Sequence, residues 1–232
     1  MKRFYREAAA VAAASGYAVM LDGKPVKTPA KAELAVGNQA LAQAIAEEWQ
    51  NQGDTIIPLA LPLTRLVSTA IDRVTPRRDA VVADIAKYAE TDLLCYRAEE
   101  PPELVRRQHE AWQPLLDWAH ARFDAQLAIT HAITPVPQPA PALAALARAV
   151  QAHDVMMLVA LHLGTSTTGS LIVGLALVEG KLSPDEAFAI AELDETYEIE
   201  RWGEDVEQAK RRAGLKEDIA LAARFAALLR GG

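Results

Sequence analysis

Between Val155 and Val178 the chain carries no Asp, Glu, Lys or Arg, and no other feature limits its possible folds so strongly. A charge-free stretch of that length can span a bilayer. Its middle, however, reads Gly164-Thr165-Ser166-Thr167-Thr168-Gly169, preceded by His162. Two glycines and four hydroxyls describe a turn, not the centre of a spanning helix. The expected structure is a pair of short apolar helices joined at residues 164–169, with no membrane span. A helix apolar on every side belongs to an interior, so the pair should lie inside a helical bundle. The same segment spells Gly-x-x-x-x-Gly, but Ser170 stands where a phosphate-binding loop needs its lysine. No phosphate cradle is expected there.

With 232 residues, 51% of them hydrophobic and 24% charged, the rest of the chain is ordinary globular material. A length of this order buries about 70–75% of its unfolded surface and needs neither disulfides nor a metal to hold a core. Cys95 is the only cysteine, which suits a reducing compartment. The formal net charge of −7 disfavours nucleic acid and anionic membranes as partners. Residues 1–6 are charged and aromatic and lack the apolar core of a secretory signal, so an intracellular site is expected.

The first third reads as β-rich. Residues 17–20 and 26–28 flank Asp22-Gly23, a dipeptide suited to the positive-φ positions of a tight hairpin. Residues 4–6 are compatible with an opening strand, whereas the alanines that follow favour helix by propensity. Asn38 is placed to cap a helix in which Leu41, Ala42, Ile45 and Trp49 recur at helical spacing until Gly53. After Pro58 and Pro62 the pattern turns helical: residues 63–73, a helix marked by Val81, Ile85 and Tyr88, and residues 104–123, which Pro114 should kink or divide. Residues 126–133 fit either strand or extended loop, and prolines 135, 137, 139 and 141 make a stiff connection. Helices at residues 143–152, the apolar pair, one long segment at 184–212 and a last helix at 216–229 complete the chain. The fold class is α+β: a small N-terminal β/α module over residues 1–60, followed by a larger all-helical domain over residues 61–232.

Ten acids and one base, Arg201, lie between Asp185 and Glu207. On a helix Asp194 and Glu195 share a face with Glu198, each such pair costing about 0.2–0.5 kcal/mol, and Arg201 relieves them only in part. Tyr197, Ile199 and Trp202 are interleaved with these acids. The stretch is either a solvated helix face with inward aromatics or an acidic, aromatic-bearing surface for a basic partner. No Glu-x-x-His pair of the kind that holds two metals in helix bundles is present, and His109, His120 and His131 share no simple face across Pro114. There is no Gly-x-Ser-x-Gly nucleophile elbow. Cys95, between Leu94 and Tyr96, suits a buried side chain better than an activated thiolate. No catalytic, metal or cofactor constellation emerges, which points to a binding protein, with a small carboxylate-dependent hydrolase as the alternative.

Several segments, in order, carry a resemblance. They are Arg3-Phe4-Tyr5; Leu21-Asp22-Gly23-Lys24-Pro25-Val26-Lys27-Thr28-Pro29; Ala46-Glu47-Glu48-Trp49-Gln50-Asn51-Gln52; Leu61-Pro62-Leu63-Thr64; Tyr88-Ala89-Glu90-Thr91-Asp92-Leu93-Leu94-Cys95-Tyr96-Arg97; Trp112-Gln113-Pro114-Leu115-Leu116; and Asp194-Glu195 through Ile199-Glu200-Arg201-Trp202-Gly203-Glu204-Asp205. Together they resemble the ATP synthase assembly chaperones that hold the free α subunit of the catalytic head. Glu198 departs from the Gln frequent in the last motif, and a following His-Asp is missing around Ala209-Lys210.

The resemblance implies a chaperone, not an enzyme, with no cofactor and no small-molecule substrate. It would bind unassembled α subunit and shield its apolar interface until the β subunit replaces it. Partner contacts are expected at Asp194, Glu195, Glu198, Trp202 and Glu204. Trp49, Asp22, Gly23 and Asp92 are motif residues of structural type, and Trp49 is either core or interface. The absence of a presequence fits a bacterial, cytoplasmic member, relatives in eukaryotes acting in the mitochondrial matrix.

Overall fold

The computed structural model describes residues 1–14, 16–132 and 134–231. A small antiparallel sheet comes first and a larger helical region follows, in agreement with the α+β expectation. The chain separates into two compact units. Unit 1 comprises Met1–Arg78, Val155–Ala160 and Arg224–Gly232; unit 2 comprises Asp79–Asp154 and Leu161–Ala223.

In unit 1, β1 (Ala8–Ala13) and β2 (Gly16–Leu21) run antiparallel, Ala8 opposite Leu21, and β2 pairs also with β3 (Lys24–Pro25) and β4 (Ala35–Val36). The alanine run is thus a strand and not the helix its propensity favours. Cross-strand pairing with the β-branched and aromatic residues of β2, and packing against the next helix, outweigh a per-residue preference of under about 1 kcal/mol. Asp22 and Gly23 have φ of 48° and 77°, the signs a two-residue turn of this hand requires, and glycine takes the second without a Cβ penalty. The third strand is shorter than residues 26–28 suggested and begins earlier, although the Val26 N–H still donates to Val19 O. Residues 4–6 form no strand; only an isolated bridge between Lys2 and Thr55 precedes β1.

Helix α1 (Gln39–Gln50) starts as expected, the Asn38 side chain accepting from the Leu41 N–H. Its buried Leu41, Ala42 and Ile45, with Ala18, Val19 and Leu34, form the core of the unit. Helix α2 (Pro62–Thr69) has no local cap and borrows one from α1: the Glu48 carboxylate accepts the N–H groups of Leu63 at 2.7 Å and Thr64 at 3.0 Å. The indole of Trp49, half-buried, donates to the Thr64 hydroxyl at 3.1 Å and meets Tyr5 edge-on.

In unit 2, α3 (Arg78–Ala86), whose first residue belongs to unit 1, precedes α4 (Pro102–Phe123). Pro114 does not divide α4. Buried Trp112 before it, and Leu115, Leu116 and Ala119 after it, offset the lost backbone bond. Residues 126–132 are irregular apart from a bridge between Tyr96 and Thr130; Ile133, which the expectation included, lies outside the described residues. Helix α5 spans Ala140–Gln151.

The apolar pair is present as α6 (Val155–Thr168), whose first six residues belong to unit 1, and α7 (Leu171–Val178), but its turn is at Gly169 and not across residues 164–169. Two of the hydroxyls expected to break the helix bond back to it instead: Ser166 Oγ donates to Leu163 O at 3.2 Å and Thr168 Oγ1 to Gly164 O at 2.8 Å, while the buried Thr165 hydroxyl has no hydrogen-bond partner among the described residues. All of α7 is buried. Among the described residues no helix is long and apolar enough to cross a membrane.

Asp92 ties this interior together. Its fully buried carboxylate accepts from Ser170 Oγ at 2.7 Å and from the N–H groups of Leu94 and Ile172, so it sits at the amino end of α7. Burial pushes its pKa up to about 6 against these hydrogen bonds. Cys95 is also buried, and its thiol is pushed up to about 12, chiefly by burial. The long segment at 184–212 comprises α8 (Pro184–Ala191), α9 (Leu193–Trp202) and the start of α10 (Val206–Arg230), with breaks at Glu192 and Gly203.

Candidate functional site

The acidic stretch is built from local chemistry that suits helix starts. Ser183 and Glu186 form a reciprocal capping box at α8, and Asp194 and Glu195 occupy the first turn of α9, where the helix dipole favours carboxylates. The fold then supplies cations and donors from distant positions. Glu192, nearly buried, is held by Arg211 at 3.0 Å and Arg212 at 2.9 Å. Asp194 accepts from the buried Gln108 amide at 2.8 Å, and partial burial moves its pKa upward. Glu195 takes a hydrogen bond from Gln208 and an ion pair from Arg211, and these hold its carboxyl below the usual range. Glu200 meets Arg107 at 2.7 Å, and Glu204 meets Arg212 at 3.3 Å. Arg201, the one base within the stretch, pairs with Glu103 at 3.2 Å and stacks on Tyr197, 3.3 Å from the ring centroid.

The predicted contact residues therefore fall into two groups. Asp194, Glu195 and Glu204 each have a partner in the same unit, although Asp194 and Glu204 remain exposed. Glu198 and Trp202 face solvent, and among the described residues Glu198 has no ion pair. The aromatics split likewise: Tyr197 is buried, whereas Trp202 is 82% exposed. Val206, across the Gly203 break, is 86% exposed, and sequence patterning had missed it because it stands alone among polar neighbours. This exposed indole and valine lie four residues apart in a stretch whose exposed neighbours are mostly acidic, Glu198, Asp205 and Glu207, with Arg201 beside Trp202.

Paired carboxylates of a hydrolase would have to converge in an enclosed space. The cavity of about 400 Å³ next to this region is lined by Arg107, Glu110, Ala111, Ala189, Ile190 and Leu193, and neither Asp194 nor Glu198 lines it. The motif residues Asp22, Gly23, Trp49 and Asp92 lie elsewhere: Asp22 and Gly23 in the β2–β3 turn, Trp49 on α1 and Asp92 beneath α7. The Asp22 carboxylate accepts the N–H groups of Arg6 and Glu7, which lower its pKa.

Known proteins resemble this chain along most of its length. The family described as ATP12 chaperone protein matches residues 2–120. The mitochondrial protein atp12 of Schizosaccharomyces pombe is 26% identical over 214 residues, 87% of this chain and 74% of its own. The crystal structure of Atp12 from Paracoccus denitrificans superposes with a TM-score of 0.94 at 42% identity, covering 98% of this chain and 97% of that one. A mutant of the same bacterial protein gives 0.95 over the same shares, also at 42% identity. The ordered motifs, the four-stranded sheet with its helical region and these likenesses agree: the chain belongs to the ATP12 family of ATP synthase assembly chaperones.

Proposed function

We propose that the protein binds the unassembled α subunit of F-type ATP synthase and covers its apolar interface until the β subunit takes its place. The observation that carries this reading is the exposure of Trp202 and Val206 in a stretch of mostly acidic residues. A subunit destined for an obligate ring exposes apolar surface that self-associates unless covered. Apolar contact at Trp202 supplies affinity, since exposed tryptophans that become buried dominate interfaces. The carboxylates of Glu198 and its neighbours steer a basic patch of the client into register. Release needs no chemistry: the larger native interface outcompetes the smaller temporary one. The protein works as a binding protein and not an enzyme, in the cytoplasm of a bacterium, where its client is made.

The test is co-purification with separately expressed α and β subunits. Capture of α and not β supports the proposal. Capture of β alone, or of neither, overturns it.

A further inference from the structure

The charge of the molecule is divided unequally. Unit 1 carries 12 Lys and Arg against 7 Asp and Glu, while unit 2 carries 12 against 24. Many arginines of unit 2 are paired with carboxylates. In unit 1, among the described residues, neither Lys2 nor Arg6 has a carboxylate within ion-pair distance.

Those two cations lie on a ribbon whose register is set by the Lys2–Thr55 bridge, by the Arg3 N–H donating to Asp54 O at 2.9 Å and by the Ile56 N–H donating to Met1 O at 2.8 Å. Side chains of extended segments alternate between faces. Arg3 and Tyr5 take the inner face. The Arg3 guanidinium donates to the carbonyls of Tyr5, Gln50, Gln52 and Arg6, and the buried Tyr5 donates its hydroxyl to Trp49 O at 2.7 Å. Lys2 and Phe4 are left outside, and Arg6, at the bend that follows, is also exposed. On the facing segment Ile56 is buried and Ile57 looks out, with Leu59 just beyond. Phe4 is 65% exposed, Ile57 54% and Leu59 77%. Asp22, an acid close to Arg6, is turned to backbone N–H groups, and Asp54 and Glu7 stand at the border.

We infer that this cation–aromatic–cation face, with Ile57 and Leu59, is a second docking surface, which takes an acidic segment of the client polypeptide with an apolar side chain between carboxylates. The inference rests on the proposed chaperone role and extends it: unit 1 and unit 2 hold the client by surfaces of opposite charge. Charge complementarity selects the occupant: among the described residues Lys2 and Arg6 form no ion pair of the kind that unit 2 supplies to its own arginines, although the Asp22 carboxylate acts on Arg6 at longer range. Bilayers and nucleic acid fit less well, because the chain as a whole repels polyanions.

Two variants of the full chain test it: Lys2→Glu with Arg6→Glu, and Phe4→Ser with Leu59→Ser. The first probe is a fluorescein-labelled peptide of alternating Glu and Leu, and the second is purified unassembled α subunit. Each variant should bind the peptide and the α subunit about tenfold more weakly than wild type, with an unchanged unfolding midpoint. The loss in the charge variant should shrink between 50 and 300 mM salt. Wild type that ignores the peptide, or variants that bind it as wild type does, overturn the inference whatever the α subunit does. Peptide binding with no α capture overturns the proposed function and leaves this face as an acidic-peptide site. Self-association in sedimentation velocity that both variants abolish would assign the face to a second copy. Binding to phosphatidylglycerol vesicles that both variants abolish would assign it to a membrane. Either result refutes the inference.

Discussion

Asp92 is a carboxylate with no exposure to solvent. A carboxylate with a pKa near 6 in the native state and 3.8 when unfolded binds more protons folded than unfolded between those values. Stability from this group is therefore complete below about pH 4 and is lost as pH rises through 6, by roughly 3 kcal/mol for a two-unit shift. Asp92→Asn removes the titration. Chemical denaturation from pH 4 to 7 should show wild type losing stability relative to the variant across that window. Parallel curves would mean that Asp92 stays ionised at both ends. The same scale separates the acidic residues. Reversing Asp194 or Glu195 breaks contacts to Gln108 or Arg211, so Glu198 is the clean electrostatic probe of this face.

Elements here are joined by borrowed caps and close approaches. The start of α2 depends on Glu48 of α1, so Glu48→Ala should lower stability by about 1–2 kcal/mol in urea titrations, the usual cost of losing a helix cap. In unit 2, a Cβ on Gly174 of α7 would run into the side chain and backbone of Thr165 on α6. Gly174→Ala should therefore cost roughly 1–3 kcal/mol by overpacking, although alanine is the better helix former. A neutral result in differential scanning calorimetry would show that the two helices can part without penalty.

Elements with a local signal are legible in the sequence. The Asn38 cap, the Asp22-Gly23 turn and the existence of an apolar helix pair each depend on neighbours within four residues or on uniform composition. The strand at Ala8–Ala13 and the place of the turn in the helix pair are not legible in that way. There the deciding partners are β2 and the back-bonding of Thr168.

For the molecule as a whole, the apolar spot at Trp202 should matter to the client and not to the fold. Trp202→Ala should weaken α-subunit capture about tenfold or more, as truncated interface tryptophans do, while moving stability by no more than about 0.5 kcal/mol. Glu198→Lys should slow capture at low salt and converge with wild type as ionic strength rises. Stopped-flow association and thermal unfolding read both effects, and equal loss of fold and capture would make the segment structural.

Family, fold class and the acidic bias of residues 185–207 were legible in the chain alone, because motif order, hydrophobic periodicity and charge counts are properties of the linear string. Which carboxylates remain free was not. Asp194 and Glu198 are four residues apart on one helix and both exposed, yet Gln108, 86 positions from Asp194, engages the first, while among the described residues the second has no ion pair. Only tertiary structure brings such partners within hydrogen-bonding distance, so only it could separate the acids that hold the protein together from those available to hold something else.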